Sequence, residues 1–395
     1  MIRNGKKKAI SCALVAAMSV GLVACGTTSY DFKVSYDGIK KGDVSSKVSV
    51  HDPSILKADG EYYIFGSHMS AAKSSDLLNW EKVADGYSKK NPVYGQIYDV
   101  ADEAFAYSGS KNSLIKTDDK QVHVWAPDVI YNETTGLYYM YYCTTSTWNA
   151  SNLCYGTSTT PEGPYEWQGA LIYSGFNRKT ISGTDVLDYV DEDYAYKNYI
   201  KGAQYNYEDY PNAIDPTVFY DADGRMWMVY GSWSGGIFLL EIDKTTGLVI
   251  HPEADKANNV DPYYGKRLLG GGHISIEGPY IMYVETSGYY YLFVSYGALT
   301  SNGGYQVRVF RSKTVDGEYV DMNGKYPEKS AQHQNYGLKL TGNYKLPSLE
   351  KAYMATGHNS AFVDDDGRMY LVYHTRFNDN GEGHSPRVHQ MLVNE

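Results

Sequence analysis

The chain has 395 residues and a formal net charge of −10 at pH 7, so it lacks the overall basic character that nucleic-acid-binding proteins need. We therefore expect no nucleic-acid partner and a neutral or sparsely charged ligand, although a local basic groove is compatible with this total. The chain also contains 41 tyrosines and 39 glycines, and Tyr-rich segments bounded by Gly and Asp turns are typical of many short strands.

The first two dozen residues have the pattern of a secretory signal rather than of a folded segment. Four basic residues within the first eight precede an apolar run over 9–24, which is too short and wrongly flanked for a membrane-spanning helix. The run ends in Leu22-Val23-Ala24-Cys25, a lipobox that predicts cleavage before Cys25 and a lipid on its sulfur. The alternative is an ordinary signal peptide that happens to end in Cys.

These features divide the chain into three predicted segments: a lipoprotein signal peptide (1–24), a lipidated linker (25–44) and a folded domain (45–395). Cleavage removes four positive charges and no negative one, which changes the net charge from −10 to −14. We expect the mature protein to be secreted, to face the exterior as a monomer, and to contact the membrane only through lipidated Cys25.

Two cysteines, Cys143 and Cys154, remain in the predicted domain. They flank a predicted hairpin turn, so a cross-strand disulfide and two free thiols are both open, and an exported location permits the disulfide. With so few cysteines and no clustered histidines, the sequence does not support a structural zinc site.

An internal repeat organises the predicted domain. Each copy has an apolar strand, a turn containing Gly or acidic residues, and an aromatic strand, which together are typical of a β-hairpin. The five copies cover 53–65, 127–141, 216–229, 279–293 and 359–372. Their starts lie about 60 to 90 residues apart, which leaves room for a four-stranded sheet and a loop.

Radial arrangement of five such sheets protects their edges and encloses a central channel. We therefore predict an all-β fold, a single five-bladed β-propeller. Two long, polar insertions, 85–121 and 175–209, are of the kind that lie on one face of a fold and shape a cleft.

An acidic residue closely followed by Pro opens three of the five repeats: Asp52 before Pro53, Asp215 before Pro216, and Glu277 two residues before Pro279. In a radial fold these carboxylates converge on the axis. Converging carboxylates suit glycoside hydrolysis, in which a protonated acid serves the leaving oxygen and an ionised base activates water. A third carboxylate raises the pKa of the acid by like-charge repulsion.

The motifs around these acids resemble those of glycoside hydrolase family 43. They are His51-Asp52-Pro53-Ser54, Trp125-Ala126-Pro127-Asp128, Asn212-Ala213-Ile214-Asp215-Pro216, Gly231-Ser232-Trp233 and Glu277-Gly278-Pro279. Within the family the chain is most similar to the endo-α-1,5-L-arabinanases, because Leu268-Leu269-Gly270-Gly271, Gly357-His358-Asn359-Ser360 and the 384–391 stretch resemble theirs. The resemblance implies inverting endo-hydrolysis of plant cell-wall arabinan or arabino-oligosaccharides.

The resemblance also implies roles for single residues: Asp52 as general base, Asp215 as pKa modulator and orienter, and Glu277 as general acid. Substrate contacts are expected from Asp52, Trp125, Asn212, Ile214, Asp215, Ser232, Trp233 and Ser234. Packing of Trp233 in the core is an equal alternative to a sugar contact.

The resemblance further implies that His358 helps to hold a largely hydrated Ca²⁺ in the channel beneath the substrate. Imidazole is not a favoured calcium ligand, since hard cations prefer oxygen, and the alternative is a channel histidine that bonds water or backbone. Asp128 also opens a repeat, but we expect it to be structural. Arg376 could bond a sugar or pair with the axial carboxylates.

Two other functions remain open from the sequence. One is an exo-acting α-L-arabinofuranosidase or β-xylosidase with the same three acids, because sequence does not show whether loops close one end of the cleft. The other is a non-catalytic glycan-binding propeller, which has no need of all three carboxylates. The chain stops inside the last motif, at Glu395, so we expect the natural protein to continue and the final blade here to keep an open edge.

Overall fold

The computed structural model describes residues 46–108, 123–145, 147–327, 336–379 and 383–393. The predicted signal, the lipobox and most of the predicted linker lie outside these residues. Within the described ranges, no helix combines the length and apolar character needed to cross a bilayer.

Five antiparallel sheets follow one another along the chain and form a five-bladed β-propeller, as predicted. The first blade contains β1 (Ser54–Ala58), β2 (Glu61–Gly66), β3 (Ser70–Ser74) and β4 (Glu81–Ala84). Two short helices, α1 (Gly95–Asp99) and α2 (Ala101–Ala104), follow it. The second blade contains β5 (His123–Asn132), β6 (Leu137–Thr145), β7 (Ser151–Ser158) and β8 (Glu166–Ser174).

The linker to the third blade carries a 3₁₀ turn (Ile181–Gly183), α3 (Val186–Tyr189), α4 (Glu192–Asn198), and the hairpin of β9 (Ile200–Lys201) and β10 (Gln204–Tyr205). The third blade contains β11 (Thr217–Tyr220), β12 (Met226–Tyr230), β13 (Ile237–Ile242), β14 (Val249–Ile250), β15 (Val260–Asp261) and β16 (Gly265–Leu269), with a 3₁₀ turn at Lys256–Asn258. This sheet has six strands instead of the four expected, because β14 and β16 both pair with β13 and β15 pairs with β16.

The fourth blade contains β17 (Ile276–Val284), β18 (Tyr289–Tyr296), β19 (Gln306–Ser312) and β20 (Leu338–Lys339). The fifth contains β21 (Tyr353–Val363), β22 (Met369–Phe377) and β23 (Ser385–Met391), three strands within the described residues. The chain just before β1 meets the start of β23, since the Val50 amide donates to the His384 carbonyl at 3.0 Å. The first and last blades are thereby joined into a ring.

The five repeated hairpins are the first two strands of the five blades. Their turns depend on residues that adopt a left-handed backbone or bond their own turn. Asp59 and Gly60, with φ of 53° and 80°, connect β1 to β2. Between β11 and β12, the Asp221 carboxylate accepts the backbone amides of Asp223 and Arg225 at 2.9 Å.

Buried tyrosines explain the unusual composition, because their rings fill the space between blades while their hydroxyls reach backbone carbonyls. Tyr141 on β6 donates to the carbonyl of Gly247 in the third blade at 2.9 Å. Tyr264 donates back to the carbonyl of Tyr173 on β8, also at 2.9 Å. Tyr thus supplies apolar area and satisfies buried polar groups at the same interface.

Asp128 is buried and connects three blades through hydrogen bonds, which agrees with the structural role expected for it. Its carboxylate accepts the Ser54 hydroxyl from the first blade and the Val218 amide from the third, the latter at 2.6 Å. Burial raises the pKa of Asp128 to about 7. Asp128 is not among the residues that line the central cavity.

Residues at the repeat position equivalent to Asp128 connect other pairs of blades through hydrogen bonds. Thr217, the residue after Pro216, donates to the carbonyl of Pro279 in the fourth blade at 2.8 Å. Ser360 in the fifth blade donates to the carbonyl of Pro53 in the first at 2.9 Å. Side chains at the start of the first strands therefore hold the blades around the axis.

Cys143 and Cys154 are free, buried thiols, so the disulfide left open by the sequence is not formed. Cys143 lies opposite Leu153 and Cys154 lies opposite Tyr142, in adjacent register positions of β6 and β7. Successive side chains of a strand point to opposite faces. The two thiols accordingly belong to different hydrophobic clusters on the two faces of the second blade.

Candidate active site

A cavity of about 590 Å³ lies at the axis where the first strands begin. Nine residues predicted for the site line it: Asp52, Trp125, Asn212, Ile214, Asp215, Ser232, Trp233, Glu277 and His358. Ser234 is the exception among the predicted contacts: it is fully buried, and its hydroxyl bonds His273 Nδ1 at 3.2 Å, while His273 lines the cavity. Ser234 therefore supports His273, a residue of the cavity wall.

One backbone feature, repeated in all five blades, aims side chains at the axis. One residue in each blade has a left-handed backbone, either just before the first strand or at a register irregularity within it: Asp52, Ala126, Asp215, Gly278 and His358 have φ between 42° and 57°. Four of them precede Pro, a position that normally favours extended backbone. Such conformations cost on the order of 1–3 kcal/mol each and cluster at functional sites. His358 is thus the counterpart in the fifth blade of Asp52 and Asp215.

Asp52 is held by side chains from the first and fifth blades. The Ser67 hydroxyl donates to Asp52 Oδ2 at 2.5 Å, and Ser67 Oγ in turn accepts the Ala126 amide at 2.8 Å. His358 Nδ1 lies 3.0 Å from Asp52 Oδ1. The Asp52 amide donates to His374 Nδ1 at 3.1 Å, so that side chain also fixes the left-handed backbone.

These neighbours keep Asp52 ionised. Burial raises the pKa of Asp52, but the His358 and His51 rings outweigh burial and hold it well below its ordinary value. Burial also lowers the pKa of His358, but the carboxylates of Asp52 and Asp215 overcome this and raise it to about 9. At neutral pH the cavity therefore holds an Asp52 carboxylate against a His358 imidazolium.

The pKa values of Glu277 and Asp215 are shifted in the opposite direction, above their ordinary values. Burial is the main cause that raises the pKa of Glu277 above its ordinary value, and it raises the pKa of Asp215 to about 7 with help from the nearby Glu277 charge. Asp215 Oδ2 accepts the Gly278 amide at 3.0 Å, which ties it to the strand that carries Glu277. One cavity thus contains an ionised carboxylate and two that favour protonation, the pattern that separates a base from an acid.

Glu277 is oriented by two predicted contact residues. Trp233 Nε1 donates to Glu277 Oε2 at 2.8 Å, and the Ser232 hydroxyl donates to the same oxygen at 3.1 Å. Trp233 is half-buried and lines the cavity, so it combines contact with the cavity and packing, the two alternatives that the sequence left open.

Two predicted contact residues line the cavity with polar atoms that lack a partner in the described structure: Trp125 Nε1, a donor, and Asn212 Oδ1, an acceptor. The Asn212 side-chain amide is fixed by its bond to the carbonyl of Ser232 at 2.9 Å. Buried polar atoms of native proteins are normally paired. These two are therefore suited to sugar hydroxyls, each of which both donates and accepts.

A histidine group behind Asp52 was missed from the sequence. Nitrogen atoms of His51, His374 and His384 lie within 4.8 Å of one another. Burial lowers the pKa of His51 to about 4 and that of His384 to about 2, so both are neutral at pH 7. The rings of His51 and His384 stack at 3.9 Å with 20° between their planes, which keeps both from pointing in-plane at one ion. The three histidines therefore pack together and form the wall behind Asp52.

Arg376 supports this wall, since its Nε donates to His384 Nε2 at 3.2 Å. It is buried and does not line the cavity.

Ser67, at the end of β2, was also missed, because a Gly-Ser-His segment after a strand is typical of an ordinary turn. The described parts of the two long insertions contribute no lining residue; shorter turns, including Ala298–Thr300, form the rim instead.

His358 is the one predicted metal ligand, and its surroundings fit a cation. Nδ1 faces Asp52, so Nε2 is the nitrogen that would hold an ion, after the imidazolium has lost the proton on that atom. The ring packs on Gly278, where an added Cβ would lie 3.1 Å from it. Three carboxyl groups act on the ring and favour a positive charge there, which a bound cation would supply in place of the proton. A site with one protein nitrogen suits an ion that keeps most of its water.

Comparison with known proteins identifies the family of this chain. The family model "Glycosyl hydrolases family 43" matches residues 44–208 and 191–394. The chain therefore belongs to glycosyl hydrolase family 43, and it is a glycoside hydrolase.

Two relatives extend the comparison over most of the chain. An extracellular endo-α-(1→5)-L-arabinanase of Thermotoga petrophila is 40% identical over 88% of this chain and 69% of its own length. The extracellular endo-α-(1→5)-L-arabinanase 2 of Bacillus subtilis is 37% identical over 89% of this chain and 70% of its own. A crystal structure of endo-1,5-α-L-arabinanase from Thermotoga petrophila superposes with a TM-score of 0.73 at 38% identity, covering 90% of this chain and 74% of that one.

Proposed function

We propose that this protein is an endo-α-1,5-L-arabinanase that hydrolyses plant arabinan with inversion at the anomeric carbon. The observation that carries the proposal is the separation of protonation states within one cavity: the pKa of Asp52 lies well below its ordinary value, and those of Glu277 and Asp215 lie above theirs. The identity of 40% and 37% to two enzymes named as endo-arabinanases favours arabinan and internal cleavage.

In the proposed reaction, Glu277 donates its proton to the glycosidic oxygen as the bond to the anomeric carbon breaks. Asp52 accepts a proton from a water molecule, whose oxygen attacks that carbon from the opposite face of the ring. The α-linked residue is released as the β-anomer. Water supplies the new hydroxyl and the proton that Asp52 takes. Before the next turnover Asp52 releases that proton to solvent and Glu277 regains one from solvent, so that no net proton is consumed.

Asp215 and Ser67 are positioning residues in this scheme. The negative charge of Asp215 opposes ionisation of Glu277, and its bond to the Gly278 amide fixes the strand that carries the acid. Ser67 connects Asp52 to the Ala126 amide and holds the base in one rotamer. Trp125 and Asn212 are the proposed partners of sugar hydroxyls.

We propose that His358 contributes to a hydrated Ca²⁺ site, as the family resemblance implies. When bound, the ion supplies a fixed positive charge that favours ionised carboxylates around it. Calorimetric titration of Ca²⁺ into chelator-treated protein tests this: we expect binding by the wild type and none by His358→Ala. Equal binding by both would place the ion elsewhere.

We also propose that the enzyme is secreted and anchored through lipidated Cys25. The names of both relatives include the word extracellular, which supports export; the anchor rests on the lipobox. Globomycin, which blocks lipoprotein signal cleavage, should cause the uncleaved precursor to accumulate. Unchanged processing, with the product in the medium, would favour an ordinary signal peptide.

Product analysis on linear, debranched α-1,5-arabinan tests the central proposal. We expect the wild type to release a ladder of short arabino-oligosaccharides, and Glu277→Ala and Asp52→Ala to release none. Asp365→Ala, which removes a carboxylate that is 88% exposed on a hairpin turn, is the matched control and should keep full activity. Release of arabinose alone would favour the exo-acting alternative, and cleavage only of xylosides would overturn the substrate.

A further inference from the structure

Trp148 has an indole ring that is 68% exposed at the edge of the catalytic cavity. It lies in the turn between β6 and β7, and both it and Asn149 line the cavity. Trp normally buries most of its large surface. Its position on the cavity wall, with most of its area open to solvent, indicates a surface kept for a ligand.

The turn that carries Trp148 is held in place. The Ala150 amide donates to the Thr147 hydroxyl at 2.9 Å, and the Ser151 hydroxyl donates to the Trp148 carbonyl at 3.2 Å. Gly175, with φ of 73°, lies so close to this turn that an added Cβ would meet the Asn149 carbonyl oxygen at 2.1 Å. These contacts fix the backbone from which the ring extends into the cavity edge.

The backbone of Trp148 shares a feature with the catalytic residues. Six non-glycine residues with positive φ line the cavity: Asp52, His68, Trp148, Asp215, Trp233 and His358. Two are proposed catalytic carboxylates, Trp233 bonds the proposed acid, and His358 contacts the proposed base. A bulky residue rarely takes this conformation without a reason. Trp148, with φ of 62°, thus belongs to the strained set around the reaction centre.

The burial of the lining residues indicates which part of a substrate meets Trp148. Asp52 and Asp215, which lie at the proposed reaction centre, are buried, whereas Trp148 is largely exposed at the edge of the same cavity. The sugar residues at the cleaved bond therefore lie deeper in the cavity than a residue that meets Trp148. A residue further along a longer chain can reach the edge where Trp148 is exposed.

We propose that Trp148 forms a distal sugar subsite, in which the indole face packs against a furanose residue beyond those at the cleaved bond. The proposal rests on the proposed arabinanase function and adds the residue that lets the enzyme distinguish long chains from short ones. An aromatic face suits the C–H groups of an uncharged furanose. Trp also has only two side-chain torsions, so its ring loses little entropy when the sugar binds.

Three substitutions of Trp148 distinguish the effect of losing the indole ring from the effect of disturbing the turn that carries it. Trp148→Asn removes the ring and keeps a residue that tolerates left-handed backbone, Trp148→Ala removes both, and Trp148→Phe keeps an aromatic face. Each is assayed for kcat/KM on linear arabinan and on arabinotriose. We expect Asn and Ala to lower the arabinan value roughly 5- to 30-fold, equivalent to about 1–2 kcal/mol, with less than about twofold change on the short substrate.

Trp148→Phe should recover most of the arabinan activity. Equal loss on both substrates would indicate a general effect on the site, and no loss on arabinan would show that the ring binds nothing; either result overturns the subsite. Arabinohexaose binding to Glu277→Gln, with and without Trp148→Asn, gives a readout without turnover, and we expect about tenfold weaker binding in the double variant. Failure of the wild type to cleave arabinan would overturn the arabinanase proposal as well.

Discussion

Ser67 and Ser54 provide a matched pair of substitutions that separates the catalytic carboxylate from the structural one. Each hydroxyl donates to a buried carboxylate, Ser67 to Asp52 and Ser54 to Asp128. Both serines are buried, at 1% and 4% exposure. Replacement by Ala removes the same group from the same kind of bond, but only Ser67 contacts a residue that lines the cavity.

Ser67→Ala should lower kcat far more than Ser54→Ala does. A hydrogen bond to a charged group contributes about 1.5–3 kcal/mol, so loss of the bond that orients Asp52 should reduce kcat roughly 10- to 150-fold. The Ala126 amide also loses its acceptor. Because the ionised form of Asp52 loses a donor, its pKa should rise and the acidic limb of the rate profile should move to higher pH.

Ser54→Ala should have the opposite signature: about 1–3 kcal/mol lower free energy of unfolding and kcat within about twofold of wild type. Initial rates on linear arabinan over a range of pH, together with urea unfolding of both variants, make the comparison. Similar kcat losses in the two variants would refute the reasoning, because they would show that the hydroxyl of Ser67 has no special relation to the base.

Three further outcomes are expected. In the wild type, kcat should fall only at a pH above the ordinary titration range of a glutamate, because burial raises the pKa of Glu277 and this acid must retain the proton for the leaving oxygen. Asp215→Asn should lower kcat and move this basic limb to lower pH, since removal of the like charge lowers the pKa of Glu277; an unchanged limb would contradict its role as modulator. Asp128→Ala should lower the free energy of unfolding by about 2–4 kcal/mol by leaving the Ser54 hydroxyl and the Val218 amide unpaired, with kcat at permissive temperature unchanged; a large loss of kcat would contradict its structural role.

The repeat and the acids were predictable because each depends on local sequence. Hairpins such as 53–65 show their strands and turn within a dozen residues, and five copies define the ring. The convergence of Asp52, Asp215 and Glu277 followed from their equivalent places in the repeat. Topology alone was enough to bring them to one cavity.

Other features depend on ring closure or on backbone conformation, which single residues do not reveal. His51, His374 and His384 meet only when the last blade returns to the first, so nothing in their spacing predicts the wall. The left-handed backbone at Asp52 contradicts the local preference of a residue before Pro, and tertiary contacts from His374 and Ser67 overrule that preference.

The extra strands of the third blade could not be predicted for a similar reason. β14 has two residues and β15 has two, too few to show an alternating pattern. β14 forms because β13 offers its edge to both β14 and β16, and β15 forms by pairing with β16. Likewise the Gly175 contact that docks the Trp148 turn joins residues whose closeness is set by the fold.

The stereochemistry of cleavage tests the central claim most directly, because it depends on Asp52 activating water rather than attacking the sugar. Proton NMR during the first minutes of hydrolysis of linear α-1,5-arabinan shows the configuration of each new reducing end before it equilibrates. The proposed roles of Asp52 and Glu277 predict that the β-anomer appears first and the α-anomer later by mutarotation. Initial appearance of the α-anomer would contradict them, since it requires a covalent intermediate on a nucleophilic carboxylate.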